Sequence, residues 1–258
     1  MLPSAHTMDR RIRYWRFMAG VAFILTSGLA MAAAEPPADL ARRVAEREAA
    51  AQEARGNYTY RQQVVIEEGG PRAGQYRETR DIIFSPAGER TEQLLRAPVN
   101  TLKRLVLTPE DFADIREIQP MLITPELLPR YIVRFKGDED VDGRDCWVLE
   151  LTPRQLFQGF RMFDGLVWVE KEGLAIVRTY GRAVPEMRTR RNENLFPRFT
   201  TLRERVDGEH WFPVLTVADD VLDFRSGPLR MKLTIRYSDY KRFGAESSIT
   251  FETPPQRD

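Results

Sequence analysis

The feature that most constrains this chain is a switch in hydrophobic period at Asn57. From there Tyr58, Tyr60, Val64 and Ile66 alternate with Thr59, Arg61, Gln63 and Val65. This two-residue repeat sends successive side chains to opposite faces of a β-strand. The alternation returns far along the chain, where Met231, Leu233, Ile235 and Tyr237 face one way and Lys232, Thr234 and Arg236 the other. Between these lie further strand-like runs: Tyr76–Phe84, Tyr131–Lys136, Cys146–Leu151, Phe160–Glu170, Leu174–Tyr180, Phe199–Val206 and Trp211–Val217. Turn signals such as Gly69-Gly-Pro71, Lys171-Glu-Gly173, Asp207-Gly208 and Ser226-Gly-Pro228 separate several of them. Connections this short join antiparallel neighbours. The pattern predicts roughly ten strands.

Helical signals interrupt the meander in two places. Residues 37–55 are rich in Ala, Glu and Arg, with Leu40 and Val44 on one face and Gly56 just beyond, a helix with its stop signal. Residues 104–130 carry two helix starts, Thr108-Pro109-Glu110-Asp111 and Thr124-Pro125-Glu126, and are broken by Pro120 and Pro129. They hold Leu105, Phe112, Ile115, Ile118, Met121, Leu122, Leu127 and Leu128. So many apolar groups on short, proline-broken elements must cover something hydrophobic. The expected fold is mainly β (α+β): a curved, incomplete antiparallel barrel of about ten strands wrapped around an N-terminal helix, with a short helical lid insertion. A closed outer-membrane barrel fits poorly, because Tyr76–Phe84 is polar on both faces and such barrels have no place for these helices.

The first 34 residues read as a signal peptide. Arg10, Arg11, Arg13 and Arg16 precede the apolar stretch from Phe17 to Ala30, and Ala32-Ala33-Ala34 offers a small-residue cleavage site. A retained anchor is the alternative. No cysteine follows to carry a lipid anchor. The mature domain is then 35–258 and periplasmic, and it has 35 basic and 37 acidic side chains of the 39 and 38 in the whole chain. That near balance argues against a nucleic-acid partner.

Candidates for chemistry are few. Cys146 is the only cysteine and opens an apolar run, so a buried, inert thiol is expected and a disulfide is excluded. Beyond the signal, His210 is the sole histidine and sits before Trp211-Phe212, where a structural role is expected. Asp138, Asp140, Asp142 and Gly143 have the D-x-D-x-D-G spacing that begins a calcium loop. With Asp138 as position one, however, position twelve is Leu149 instead of glutamate, and both flanks read as strands. An acidic hairpin turn at Asp142-Gly143 is the expectation, and the three aspartates are at most weak metal candidates. Glu110, Asp111, Asp114 and Glu117 share part of a helix surface, which the helix dipole alone explains as a solvated face. The segment from Arg182 to Arg198 is the densest basic stretch, a solvated loop or a docking loop for an anionic headgroup or partner. No phosphate-cradling loop, zinc-protease helix or nucleophile elbow is present.

Several stretches resemble the bacterial lipoprotein-carrier superfamily, the LolA/LolB-like outer-membrane lipoprotein-sorting proteins. They are the signal, the opening helix, Asn57-YTYRQ, Asp145-CWVLEL, the hairpin GLVWVEKEGLAIVRTYG from Gly165, and Tyr237-SDYKRFG. The resemblance implies an unclosed barrel whose cavity holds acyl chains beneath helices, with residues 104–130 as the lid. It also implies a non-catalytic monomer that needs no cofactor and takes a lipid or an acylated lipoprotein, with a membrane-associated protein as a further partner. Tyr58, Tyr60, Trp168, Leu233 and Ile235 from the strands are the candidate cavity lining. Phe112, Ile115, Ile118, Met121, Leu122, Leu127 and Leu128 complete it from the lid. The same fold could instead serve as an envelope sensor that detects lipid and contacts a signalling partner, or as a module whose cavity is filled by its own aromatics.

Overall fold

In the computed structural model, residues 35–243 are described except 72, 85–88, 118–122, 158 and 189–192. The expected signal, along with Ile118, Met121 and Leu122, lies outside the described residues. The described part belongs to one compact unit, Ala34–Asp258.

The chain opens with helix α1 (Leu40–Arg55) and continues through β1 (Tyr58–Glu68), β2 (Gln75–Phe84), β3 (Arg90–Leu94) and β4 (Val99–Asn100). Helix α2 (Pro109–Glu117) and a 3-10 turn (Leu128–Arg130) follow. Next come β5 (Tyr131–Val141), β6 (Arg144–Pro153), β7 (Met162–Glu170) and β8 (Ile176–Val184). The short β9 (Met187–Arg188) and β10 (Glu193–Asn194) precede β11 (Phe199–Val206), β12 (His210–Phe224) and β13 (Gly227–Arg242).

One large sheet runs β3-β2-β1-β13-β12-β11-β8-β7-β6-β5, with β4 added beside β2, while β9 and β10 pair separately. Every named pairing is antiparallel. The sheet is curved and unclosed, with β3 at one end and β5 at the other. The alternation read from sequence sets the register: Val64 pairs with Ile235 and Ile66 with Leu233. All four are buried on the inner face.

Helix α1 lies against that face with Leu40, Val44 and Ala45 buried. Glu48 extends the same stripe, four residues beyond Val44, and is only 1% exposed. It accepts from Arg203 Nη1 at 2.8 and 2.9 Å. This ion pair joins the helix to β11 in a region where both side chains are almost dry.

A second, smaller cluster sits on the outer face: Val141, Cys146, Val148, Trp168, Ala175, Val177 and Trp211. Cations cap it. Arg178 lies 4.5 Å from the Trp168 ring, and Arg144 and Arg205 lie 5.1 and 5.4 Å from Trp211, a polar cover that leaves guanidinium heads at the surface. Cys146 is buried here, its thiol pushed up to about 11, mainly by desolvation. His210 stacks on Phe212 with rings 5.8 Å apart.

Candidate binding groove

An unclosed sheet has no opposing wall of strands, so its apolar inner face needs another cover. The described residues of 101–117 and 123–130 supply it. The first part is an extended arm. Thr101 N donates to Gln75 O at 2.8 Å. Glu68, buried at the end of β1, then accepts from the backbone N–H groups of Arg104 and Leu105 at 2.6 Å each and of Lys103 at 2.9 Å. Gly74 N is a fourth donor at 3.2 Å. Glycine is needed there by close approach, since a Cβ on Gly74 would lie 2.1 Å from Thr101 O. Burial alone would push the Glu68 carboxyl up, but these four bonds outweigh it and hold the group below the usual carboxylate range.

Helix α2 follows with a reciprocal cap: Thr108 N donates to Asp111 Oδ2 at 2.7 Å and Asp111 N to Thr108 Oγ1 at 3.3 Å. Phe112 packs edge-on to Tyr76, ring centres 5.6 Å apart. The expected solvated acidic face is not found at two of its four positions. Asp114 is 5% exposed and lies 3.2 Å from Arg161 Nη2. Asp111 accepts from Asn194 Nδ2 at 2.9 Å, and desolvation, opposed by its bonds to Thr108, raises its carboxyl above the usual range. Asp111 lies in the first turn, where an acid satisfies the helix dipole, but it and the second-turn Asp114 also reach across to β10 and to the residue before β7.

Between the lid and the sheet runs an apolar groove. Ile66, Met231, Leu233 and Phe224 form its floor. Leu105, Val106, Leu107, Asp111 and Ile115 come from the lid side, and Glu193, Leu195 and Phe196 from β10 and the stretch after it. Its cavity measures about 20 Å³, room for about one water and far below the roughly 300–1,000 Å³ of a ligand pocket. The groove is therefore closed. Val106 stands at its edge, 80% exposed. Larger clefts elsewhere are more open. One of about 380 Å³ is lined by Tyr60, an expected lining residue, and Ile83 together with Thr59, Arg61, Asp81, Asp239 and Lys241, and there Arg61 pairs with both acids at 2.9 and 3.1 Å.

Of the residues expected to line a cavity, Ile115 and Leu233 touch the groove itself. Tyr60 and Ile235 belong to the same inner core, with Phe112, Leu127 and Leu128 packed against it. Tyr60 stacks on Tyr240 at 5.1 Å. Tyr58 is fully buried but sits apart, edge-on to Phe212 and His210. Trp168 does not join them. It lies in the outer cluster and donates from Nε1 to Glu139 Oε2 at 2.8 Å. A bulge between Trp168 and Val169 shifts the register there.

The acidic turn is a hairpin tip. Asp142 and Gly143 have φ of 53° and 78°, the left-handed pair that a type I′ turn requires. Asp138 pairs with Lys171 at 3.2 Å, and Asp140 Oδ1 accepts from Gly143 N at 2.9 Å. Among the described residues no group of three or more His, Cys, Asp or Glu side chains is placed to hold a metal. In the basic segment, Arg188 is paired with Glu186 and Glu193. Among the described residues no helix is long and apolar enough to cross a membrane.

No protein-family model and no curated protein matches the chain. Solved structures of similar fold include a DUF1329 family protein from Desulfovibrio piger, at 16% identity over 84% of this chain and 96% of that chain, with a TM-score of 0.44. A LolA superfamily protein from Nitrosomonas europaea matches at 17% identity over 83% and 97%, TM-score 0.34. An outer membrane lipoprotein-sorting protein domain from Vibrio parahaemolyticus matches at 12% over 79% and 93%, TM-score 0.33. The chain's structural neighbours are thus DUF1329 and LolA superfamily proteins and a lipoprotein-sorting domain.

Proposed function

We propose that this is a periplasmic, non-catalytic binding protein whose lid lifts to admit the acyl chain of a lipid or of an acylated lipoprotein. The observation that carries the reading is how the inner face is closed. A permanently sealed core does best with apolar packing, because buried charged pairs are weak or unfavourable contributors to stability. Here the cover is held partly by polar latches, Glu68 of β1 gripping the arm and Asp111 and Asp114 of α2. Such bonds have a defined broken state and re-form in register, which suits a lid that opens and closes.

The magnitudes allow it. Burying ten methylenes contributes about 8 kcal/mol at about 0.8 kcal/mol each. Releasing the three latches costs on the order of 4.5–9 kcal/mol, taking about 1.5–3 kcal/mol for each. A chain of about twelve carbons is therefore long enough to hold the lid open, and a four-carbon chain is not. Neither the buried Cys146 nor the ring-packed His210 is placed for catalysis at the groove.

The test is lipid extraction and native mass spectrometry of the protein isolated from its periplasm, with uptake of a fluorescent long-chain fatty acid by the stripped protein. Co-purifying acyl species and saturable uptake are expected. A ligand-free protein that also takes up no probe overturns the reading. A stoichiometric protein partner in place of lipid assigns the fold to signalling.

A further inference from the structure

We propose that Arg161 is the headgroup-recognition residue of the groove and that the preferred ligand carries an anion, a carboxylate or a phosphate, beside its acyl chain. This rests on the acyl-binding reading and names the ligand class for that same site.

The Arg161 side chain is 8% exposed. Its Nη2 donates to Asn194 O at 3.0 Å and faces Asp114 at 3.2 Å. Its Nε and Nη1 are buried and have no hydrogen-bond partner among the described residues. Asn194, 3% exposed, leaves its Oδ1 without a partner while its Nδ2 holds Asp111, a groove-lining residue. The guanidinium thus lies one hydrogen-bonded residue behind the groove wall, flanked by the chain neighbours of groove residues Ile115 and Leu195.

A guanidinium offers five N–H donors in a planar fork and is used most fully by a carboxylate or phosphate. A residue serving only to clamp the lid would leave fewer of them idle. In the closed state the nearest opposing charge is Asp114 of α2 at 3.2 Å, with Asp111 of α2 and Glu186, just before β9, also acting on the guanidinium. When α2 lifts, both of its acids leave together and the guanidinium keeps only Glu186, which is itself paired with Arg188. An anionic headgroup then takes the place of the lid carboxylates, so lid and ligand compete for one arginine. A neutral headgroup leaves the guanidinium without a close counter-charge, which is the source of selectivity.

The experiment measures dissociation constants for oleate, oleyl alcohol and oleoyl lysophosphatidic acid by displacement of a neutral fluorescent probe. Wild-type protein is expected to favour at least one anion over the alcohol by ~10-fold or more, the size of one or two charge-assisted bonds. In Arg161→Met that ratio falls toward one, and the anion with the larger loss identifies the headgroup chemistry. Asp114→Asn, which removes the closed-state partner of Arg161, tightens all three chains together at an unchanged ratio and keeps the proposal testable where Arg161→Met does not fold. Wild-type affinities that are equal for alcohol and both anions overturn the headgroup assignment alone. So does an Arg161→Met variant that weakens alcohol and anions by the same factor, or an Asp114→Asn variant that tightens none of the three chains. Binding of none of the three chains overturns the acyl site and this proposal together.

Discussion

Glu68→Gln removes a charge and two lone pairs from the arm latch while keeping the side-chain volume. Glu68 now serves four backbone donors, with the three from the arm at 2.6–2.9 Å. Glutamine has one acceptor oxygen, enough for two of them, and its amide group turns a donor toward the rest. Two N–H groups therefore lose a charged acceptor, at about 1–2 kcal/mol each once the lower burial cost of the neutral side chain is set against the loss. The arm should open more easily by roughly 2–4 kcal/mol. At 1.4 kcal/mol per decade this is about 30- to 700-fold. Native-state hydrogen exchange at Lys103, Arg104 and Leu105 reads it directly, and strand amides such as those of Val64 and Ile235 serve as internal controls. Acceleration confined to the arm supports the latch. A change below ~5-fold at those three amides, or equal acceleration throughout the sheet, refutes the reasoning.

Other outcomes follow from the same geometry. Because the Glu68 carboxyl is held below its ordinary range of about 4.5, its contribution is complete above that value and is lost as pH falls through the depressed folded value. The difference in arm exchange between wild type and Glu68→Gln should accordingly shrink as pH falls below about 4.5. Arg203→Met strands the Glu48 carboxylate in a dry site and should cost about 3–5 kcal/mol in urea unfolding. The double variant Glu48→Leu with Arg203→Met should recover most of that, and a double variant as unstable as the single would remove the ion pair from the account. Trp168→Phe deletes the bond to Glu139 and weakens the stack under Arg178, so it should lower stability by about 1–2 kcal/mol. Lipid uptake should proceed at the wild-type rate, since the ring faces away from the groove. Val106→Asp, on an edge residue that is 80% exposed, should leave the melting temperature within a degree or two and slow uptake of a neutral chain.

The sheet was legible because its signal is local and periodic. A strand with apolar groups on alternate residues has one way to face its core, and β1 and β13 face it that way. Trp168 shows where the signal fails. In Leu166-Val-Trp-Val169 both faces are apolar, and the bulge beside Trp168 resets the alternation, so period alone does not choose a side. The acids of α2 show another limit. Their local context fits a solvated helix face near the N-terminus, and their partners Arg161 and Asn194 lie 47 and 83 residues away from Asp114 and Asp111. The Glu68 latch was harder still, because its partners are main-chain N–H groups that any residue would supply. Glu48 and Arg203 did carry a signal. Leu40, Val44 and Glu48 follow at helical spacing, while Phe199, Thr201 and Arg203 alternate on a strand, so both charges could be placed inside from sequence.

The two ends of the sheet never meet, and this gives the 101–130 segment a mechanical role. Its arm is tied to β1 and β2, while α2 is tied to β10 and to the residue before β7. It spans the sheet as a keystone spans an arch. Lifting it uncovers the groove and also relaxes the tie between two groups of strands, whose hydrogen-bonded link then runs only through β13, β12, β11 and β8. Under the acyl-binding proposal the span would widen as it loads, and the space offered to a ligand would follow the ligand's own girth. A carrier built this way needs no preformed pocket of fixed size: the bending stiffness of its sheet is its gauge.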